Sequence, residues 1–436
     1  MNFLNQASPN VIIRICLITF LPAVFYTNSF AEYCPGDLKN PDKRNTDPSG
    51  IFQDSTRSSV EYINSNFENA SPLFWEYNRD GSVQIHILYD HERSSPNRAS
   101  NHWFFQVQAV PGSDVTLIIQ FFDEIWNGGV TRSYSLVKNY YVSEDGLKWN
   151  LVPADAYEKG HKIRVHMNSG SLYVAGMEPY RLSDLDKLLK EIQGNSIVEI
   201  RPVGKTVEGR QLEIIRIGNP DAPFRVFIRA RAHPWEAGGN WVVQGLVRSL
   251  LDKSGDGARY LEKYCVYILP MANKDGVARG STRFNSLGKD LNRGQELPAD
   301  PALSPENYAL ETWLKEMSDK GMKPDVSLDL HNDRNGKLSF SNPPANNNTE
   351  KYNSNIKRFE SLMYKYTWYT WSTGNIRKDS GNSGNYAVSR YNVDISALLE
   401  LNQTWIAGLN KVPFGKDWEL LGKQLRDVFY YYFDDK

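Results

Sequence analysis

From about residue 82 to 174, apolar and polar positions alternate in short runs, at 83–89, 103–107, 115–121, 162–166 and 172–175. A period of two sends successive side chains to opposite faces of a pleated strand, so each run predicts a strand buried on one side. Turn formers such as Pro111-Gly112 and Asp145-Gly146 stand between the runs, as hairpin connections require. The stretch predicts an antiparallel β-sandwich or small barrel that needs no helix. The period changes at Ser183, a potential cap for a helix whose apolar face carries Leu185, Leu188, Leu189 and Ile192. Beyond it, strand-like runs at 212–217, 224–228, 266–269 and 326–330 alternate with helical stretches at about 239–251 and within 305–317. That alternation predicts an α/β fold, a mixed or mostly parallel sheet covered by helices. The Asn-rich stretch 342–355 reads as a surface loop. The expected organisation is an amino-terminal β-sandwich domain over 32–180 and an α/β domain over 181–436.

Composition narrows the function classes. A chain of 436 residues, 40% hydrophobic and 23% charged, is long enough for two cores and too apolar to remain unfolded. Fifty basic residues against fifty-one acidic leave a net charge of -1, so the field that a nucleic-acid binder needs is missing. The first residues differ from the rest: Arg14 closes a polar start, 15–26 is apolar, and Ser29-Phe30-Ala31 supplies small residues for cleavage. This predicts a secretory signal peptide over 1–31, cleaved after Ala31, and a secreted or periplasmic protein. The apolar run, interrupted by Pro22, falls short of the ~20 residues of a spanning helix. No membrane span is expected once the signal is removed. Of the cysteines, Cys16 leaves with the signal, while Cys34 and Cys265 enter a compartment where pairing is permitted but not implied. Cys265, inside the apolar run 264–269, reads as a buried free thiol.

Candidate chemistry begins with the histidines. Of seven, only His233 and His331 lie in the α/β region. His233 follows a strand-like run and opens His233-Pro-Trp-Glu236, a spacing that sets imidazole and carboxylate on the same side of one turn. His331 closes the run 325–331, at the carboxyl end of a predicted strand, where open α/β sheets place their sites. Either feature alone is common. Together two His and one Glu form the ligand set of a catalytic zinc site, whose open position takes water. Zinc lowers the pKa of that water to about 7, and a base must still take its proton. The candidate base is Glu400, the single carboxylate in the apolar run 395–402; the plainer alternative is a carboxylate ion-paired at a strand end. Arg283 and Gly288-Lys-Asp290-Leu-Asn292-Arg293 form a polar segment without strand or helix period. Guanidinium forks beside an amide suit a carboxylate anion, although a solvated charged loop has the same composition. No Gly-rich phosphate loop and no Gly-x-Ser-x-Gly elbow is present, so phosphoryl transfer and serine hydrolysis gain no support.

His233-Pro-Trp-Glu236, Asn273-Lys-Asp-Gly276, Arg283, Asp290-Leu-Asn-Arg293, Asp329-Leu-His331 and Leu398-Leu-Glu-Leu401 resemble, in order, the motifs of the carboxypeptidase A superfamily of zinc carboxypeptidases. The likeness covers 181–436. It is nearest to the cytosolic-carboxypeptidase-like branch, whose amino-terminal β-sandwich has a segment similar to Asn101-His-Trp-Phe-Phe-Gln-Val-Gln108. The resemblance implies that His233, Glu236 and His331 hold one zinc ion and that Asp290 accepts a hydrogen bond from His233. It further implies that Asn292 and Arg293 hold the substrate's terminal carboxylate. Arg283 would stabilise the oxyanion, and Glu400 would carry the proton from water to the leaving amine. The implied function is hydrolysis of the C-terminal amide bond of peptides or proteins. A zinc amidohydrolase acting on cell-wall peptides or acylated amino acids, or a non-catalytic binding protein, are the alternatives. Two motif positions depart from the family: Lys274 stands for a proline, and Trp235 precedes Glu236 where pancreatic-type enzymes carry an arginine. Where those enzymes carry a substrate-binding tyrosine this chain has Asn375, Ile376 and Arg377, with Tyr369 and Trp371 only nearby. No catalytic tyrosine is therefore assigned. The same resemblance suggests acidic terminal residues as substrates, with Arg377, Lys378 and Arg390 as candidate partners, opposed by Asp379 and Asp394.

Overall fold

The structure, a computed structural model, describes residues 58–434 apart from 253–256, 295–297, 342–348, 371 and 377–389, with backbone alone at 133 and 372–376. The expected signal peptide at 1–31, Cys34, Trp371, Arg377, Lys378 and Asp379 lie outside the described residues.

The amino-terminal region is built of strands. One five-stranded sheet contains Val60–Asn64, Phe104–Ala109 and Ser171–Ala175, a second contains Val83–Ile87, Asp114–Phe121 and Gly160–His166. Their facing side chains, among them Trp103, Phe105 and Val107 on one side and Ile85, Leu117, Ile119 and Ile163 on the other, form one buried core. The alternation in the sequence is thus the inward and outward alternation of a sandwich. Two features differ from expectation. Val83–Ile87 pairs with Asp114–Phe121 in parallel, because the chain leaves for the opposite sheet between them and re-enters in the same direction. A 3-10 turn occupies Ser133–Leu136. A third, four-stranded sheet pairs Asp90–His91, Arg98–Ala99, Glu124–Trp126 and Gly129–Thr131.

The helix Leu182–Ile192 opens the second region and buries Leu185, Leu188 and Ile192. Ser183 does not cap it. The Asp184 carboxylate accepts the backbone N–H of Arg181 at 2.9 Å, and Glu68 accepts that of Ser183 at 2.9 Å, so acidic side chains satisfy the first-turn donors instead. An eight-stranded sheet follows, in the order Val198–Lys205, Gln211–Ile217, Tyr264–Leu269, Phe224–Ala230, Val326–Asp333, Ile395–Asn402, Lys337–Phe340, Ser372–Ile376. The four middle strands run parallel, while Gln211–Ile217 and Lys337–Phe340 pair with them antiparallel. Tyr264–Leu269 is buried at every position, as a strand covered on both faces must be. Helices Gly238–Leu251, Thr349–Tyr366 and Gly415–Tyr432 contribute to the same core. The Asn-rich loop expected over 342–355 is corrected from 349 onward, where Tyr352, Ile356, Phe359 and Met363 form the buried face of Thr349–Tyr366. Their helical spacing outweighs the asparagines between them. Cys265 is buried and free, and burial pushes its thiol up to about 11. Among the described residues no helix is long and apolar enough to cross a membrane.

The two regions meet backbone to backbone. Gly280 has φ 64, and a Cβ there would collide with the carbonyl oxygen of Ala70. Beside it, Asn69 donates to the carbonyl of Val277 at 2.9 Å. Only glycine supplies both the left-handed backbone and the clearance.

Candidate active site

Three adjacent parallel strands, Phe224–Ala230, Val326–Asp333 and Ile395–Asn402, bring their carboxyl ends to one edge, where the candidate residues gather. After the first strand the backbone turns through Arg231, a non-glycine residue at φ 61. That conformation costs about 1–2 kcal/mol and is held by the Arg231 side chain, which is fully buried. Its Nε donates to the Pro234 carbonyl at 2.7 Å and its Nη1 to Asn240 Oδ1 at 3.2 Å. Burial draws this guanidinium down to about 9. The turn closes with the Glu236 N–H on the His233 carbonyl at 3.2 Å, which sets the two side chains together.

His233 Nδ1 lies 2.7 Å from Glu236 Oε1, and His331 Nδ1 lies 2.8 Å from Glu236 Oε2. All three residues are buried, and their ligating atoms fall within 4.8 Å of one another. On the far side of each ring stands another carboxylate: Asp290 Oδ1 is 3.2 Å from His233 Nε2, and Asp329 Oδ2 is 3.3 Å from His331 Nε2. The latter contact has an ion-pair distance without hydrogen-bond geometry. The same Asp329 oxygen is 3.4 Å from the buried Arg229 guanidinium.

Each imidazole is therefore flanked by carboxylates on both nitrogens. A neutral ring carries one N–H and would turn its lone pair on an acceptor, so either a second proton or a cation must stand between ring and Glu236. Accordingly, burial lowers the His331 pKa but Glu236 and Asp329 outweigh it and raise it to about 10. For Glu236 burial acts upward, yet the two imidazoles hold it down at about 2. A divalent ion fits the same place: Asp290 favours the N–H of His233 on Nε2, the Asp329 charge beside His331 Nε2 favours the same tautomer there, and both Nδ1 lone pairs then converge beside a carboxylate.

Glu400 is the register partner of His331 on the neighbouring parallel strand, so the two side chains leave the same face of the sheet. Burial raises the Glu400 carboxyl to about 7 against the pull of His331, and among the described residues its Oε2 has no hydrogen-bond partner. Among the described residues Glu400 makes no ion pair within 4.0 Å, which speaks against the plainer alternative of a carboxylate paired at a strand end. Tyr369, one of the two aromatic residues near the expected tyrosine position, donates its hydroxyl to the Glu400 backbone carbonyl at 2.8 Å.

The polar segment joins this cluster through Asp290. Besides His233, its carboxylate accepts Arg283 Nε at 2.8 Å and the Asn292 N–H at 2.8 Å. Burial would raise Asp290, but Arg283 and His233 hold it well below the usual carboxylate range. Asn292 is buried, and Arg293 Nη1 donates to the Asn292 carbonyl at 2.8 Å. The segment is an ordered loop rather than a solvated one. Lys274, at the position of the family proline, binds the buried Glu213 carboxylate at 2.7 and 2.8 Å. Gly276 two residues on lies so near Pro234 that a Cβ would collide with its ring. Arg390 and Asp394 do not join the cluster. Both precede Ile395–Asn402, and at about 3.3 Å per strand residue the path from Asp394 to Glu400 is about 20 Å.

Several contributors were not read from the sequence. Arg334 is buried between the regions, donating to the side chains of Asn101 and Gln403 and lying over Trp103 at 5.8 Å and Trp235 at 5.6 Å. It thereby braces the residue next to Glu236. Asp90 of the small sheet accepts the backbone N–H groups of Thr282, Arg283 and Phe284 at 3.2, 2.7 and 2.9 Å. Arginines inside a central apolar strand, such as Arg229 in 224–230, were a usable signal. Asp90 carried none.

A family model described as zinc carboxypeptidase matches residues 185–410. An uncharacterised protein of Zymomonas mobilis is 30% identical over 193 residues, 44% of this chain and 49% of its own length. Cytosolic carboxypeptidase 6 of Caenorhabditis elegans is 32% identical over 133 residues, 29% of either chain. The chain thus spans half or less of these relatives. Among solved structures, a metallo-carboxypeptidase from Burkholderia cenocepacia superposes with a TM-score of 0.76 at 21% identity, covering 86% of this chain and 99% of its own. One from Pseudomonas aeruginosa, in complex with (2-guanidinoethylmercapto)succinic acid, gives 0.71 at 21%, covering 85% and 98%. At such identities the structures speak for the fold, which spans both regions. The family match, by contrast, extends over more than half of the 436 residues, and with the motifs it contains the chain belongs to the zinc carboxypeptidase family.

Proposed function

We propose that this protein is an exported metallocarboxypeptidase that hydrolyses the C-terminal amide bond of peptides or proteins, with one zinc ion held by His233, Glu236 and His331. The observation that carries the reading is the convergence of two imidazole Nδ1 atoms on the Glu236 carboxylate, with Glu400 in register beside His331. Zinc, when bound, supplies Lewis acidity that brings the pKa of water to about 7. The chain's own groups do the rest. Glu400 takes the proton from the attacking water and returns it to the leaving amine. Arg283 donates to the oxyanion, and Asn292 with Arg293 receives the terminal carboxylate. Asp290 orients both His233 and Arg283, so ligand and oxyanion donor share one anchor. We read the β region and the α/β region as two domains meeting near residue 180.

The test is zinc analysis of the purified protein together with incubation of a synthetic peptide. About one zinc per chain and stepwise release of free amino acids from the C-terminus are expected. Release from acylated amino acids or cell-wall peptides alone would replace the substrate, and a zinc-free, fully active preparation would end the reading. Export rests on the pattern at 1–31. Amino-terminal sequencing of the mature protein is expected to begin near Glu32, and retention of Met1 would overturn it.

A further inference from the structure

We infer that Trp126, on the small sheet of the amino-terminal region, is a positioning residue of this site, setting the guanidinium groups of Arg283 and Arg293 for the substrate's carboxylate and oxyanion. The inference rests on the roles proposed above for those two arginines. The Trp126 ring lies 4.4 Å from the Arg283 guanidinium carbon and 5.2 Å from that of Arg293. One indole thus serves both groups. They are ten positions apart on a loop without regular structure, and their like charges would otherwise drive them from each other.

The choice of an aromatic partner has a chemical reason. A second carboxylate would hold a guanidinium more tightly but would occupy the N–H edge that an anionic substrate needs. A ring takes the flat face and leaves the edge for hydrogen bonding. Asp290 already supplies one carboxylate, on Arg283 Nε, and Trp126 completes the orientation without adding another.

The platform is built for this. Ile125 pairs with Arg98, and Trp126 faces Gly129 across the hairpin. The N–H of Asn127 donates to Asn97 Oδ1 at 2.8 Å, and Arg98 Nε donates to the Asp123 carbonyl at 2.7 Å. From the same small sheet, Asp90 holds the loop's backbone at Thr282, Arg283 and Phe284. One element therefore fixes both the main chain and the side chains of the anion-binding loop. On this account the amino-terminal region is part of the active site.

The experiment compares wild type, Trp126→Ala and Trp126→Phe on a peptide with a free C-terminus and on its amidated analogue, with zinc content and Tm measured alongside. Trp126→Ala is expected to raise KM for the free-acid peptide by ~10-fold and to lower kcat several-fold. Preference over the amide should shrink in step, with zinc and Tm near wild type. Trp126→Phe, which retains a ring face, should recover most of the loss. Unchanged kinetics in Trp126→Ala overturns the inference. So does a loss that follows zinc or folded fraction, or equal loss on both peptides. A wild-type protein inactive on both peptides instead removes the proposed function, which keeps the two failures apart.

Discussion

Glu400→Gln is expected to lower kcat by roughly 10²–10⁴-fold, the range of general acid–base catalysis, while zinc content stays at the wild-type level. The amide matches the carboxylate in shape but cannot accept and return a proton. Metal should remain because Glu400 is outside the three-residue cluster of ligating atoms, whose inner contacts run through Glu236. The buried Oε2, without a protein hydrogen-bond partner among the described residues, leaves room for an amide without displacing one. Steady-state kinetics and metal analysis on the same preparation decide it. Retention of more than about a tenth of the rate would remove Glu400 as the base, and loss of zinc would make it a ligand.

His331→Ala should abolish both metal binding and hydrolysis. Removing a residue that merely orients a ligand typically costs about 10–100-fold in metal affinity, and loss of one of three ligands has to cost more. The substitution also leaves Glu236 Oε2 and Asp329 Oδ2, each within 3.3 Å of the ring, facing a vacated space inside the protein. Exposing buried carboxylates in this way is destabilising. Dialysis against excess zinc separates the effects: restored activity at high zinc would demote His331 from ligand to support, whereas a folded but inactive protein at any zinc concentration bears out the assignment.

The site was legible where chemistry is local. His233 and Glu236 are three residues apart and share one turn, His331 closes a strand-like run, and Glu400 is the single carboxylate in the apolar run 395–402, so each announces itself. That His331 and Glu400 are register partners was only implicit, because strand pairing joins residues far apart in the chain. The interfacial groups were illegible for the same reason. Asp90 and Trp126 lie in short strands whose exposure has no clear period, and their partners are separated from them by well over a hundred residues. The fold's layers followed from period two giving way to alternating elements. The errors were at ends and in composition: Ser183 resembled a cap but Asp184 performs that role, and asparagines masked a helix whose apolar positions recur every three or four residues.

The tight seat of Ala70 on Gly280 bears on how such proteins can change. A junction that leaves no room for a methyl group cannot drift one side at a time, so the amino-terminal region is a poor cassette for swapping among relatives. A chimera joined near residue 180 would need its Asn69-Ala70 segment and its 276–288 segment from the same parent. Inherited together, they form a single unit of descent that straddles the two regions of the chain.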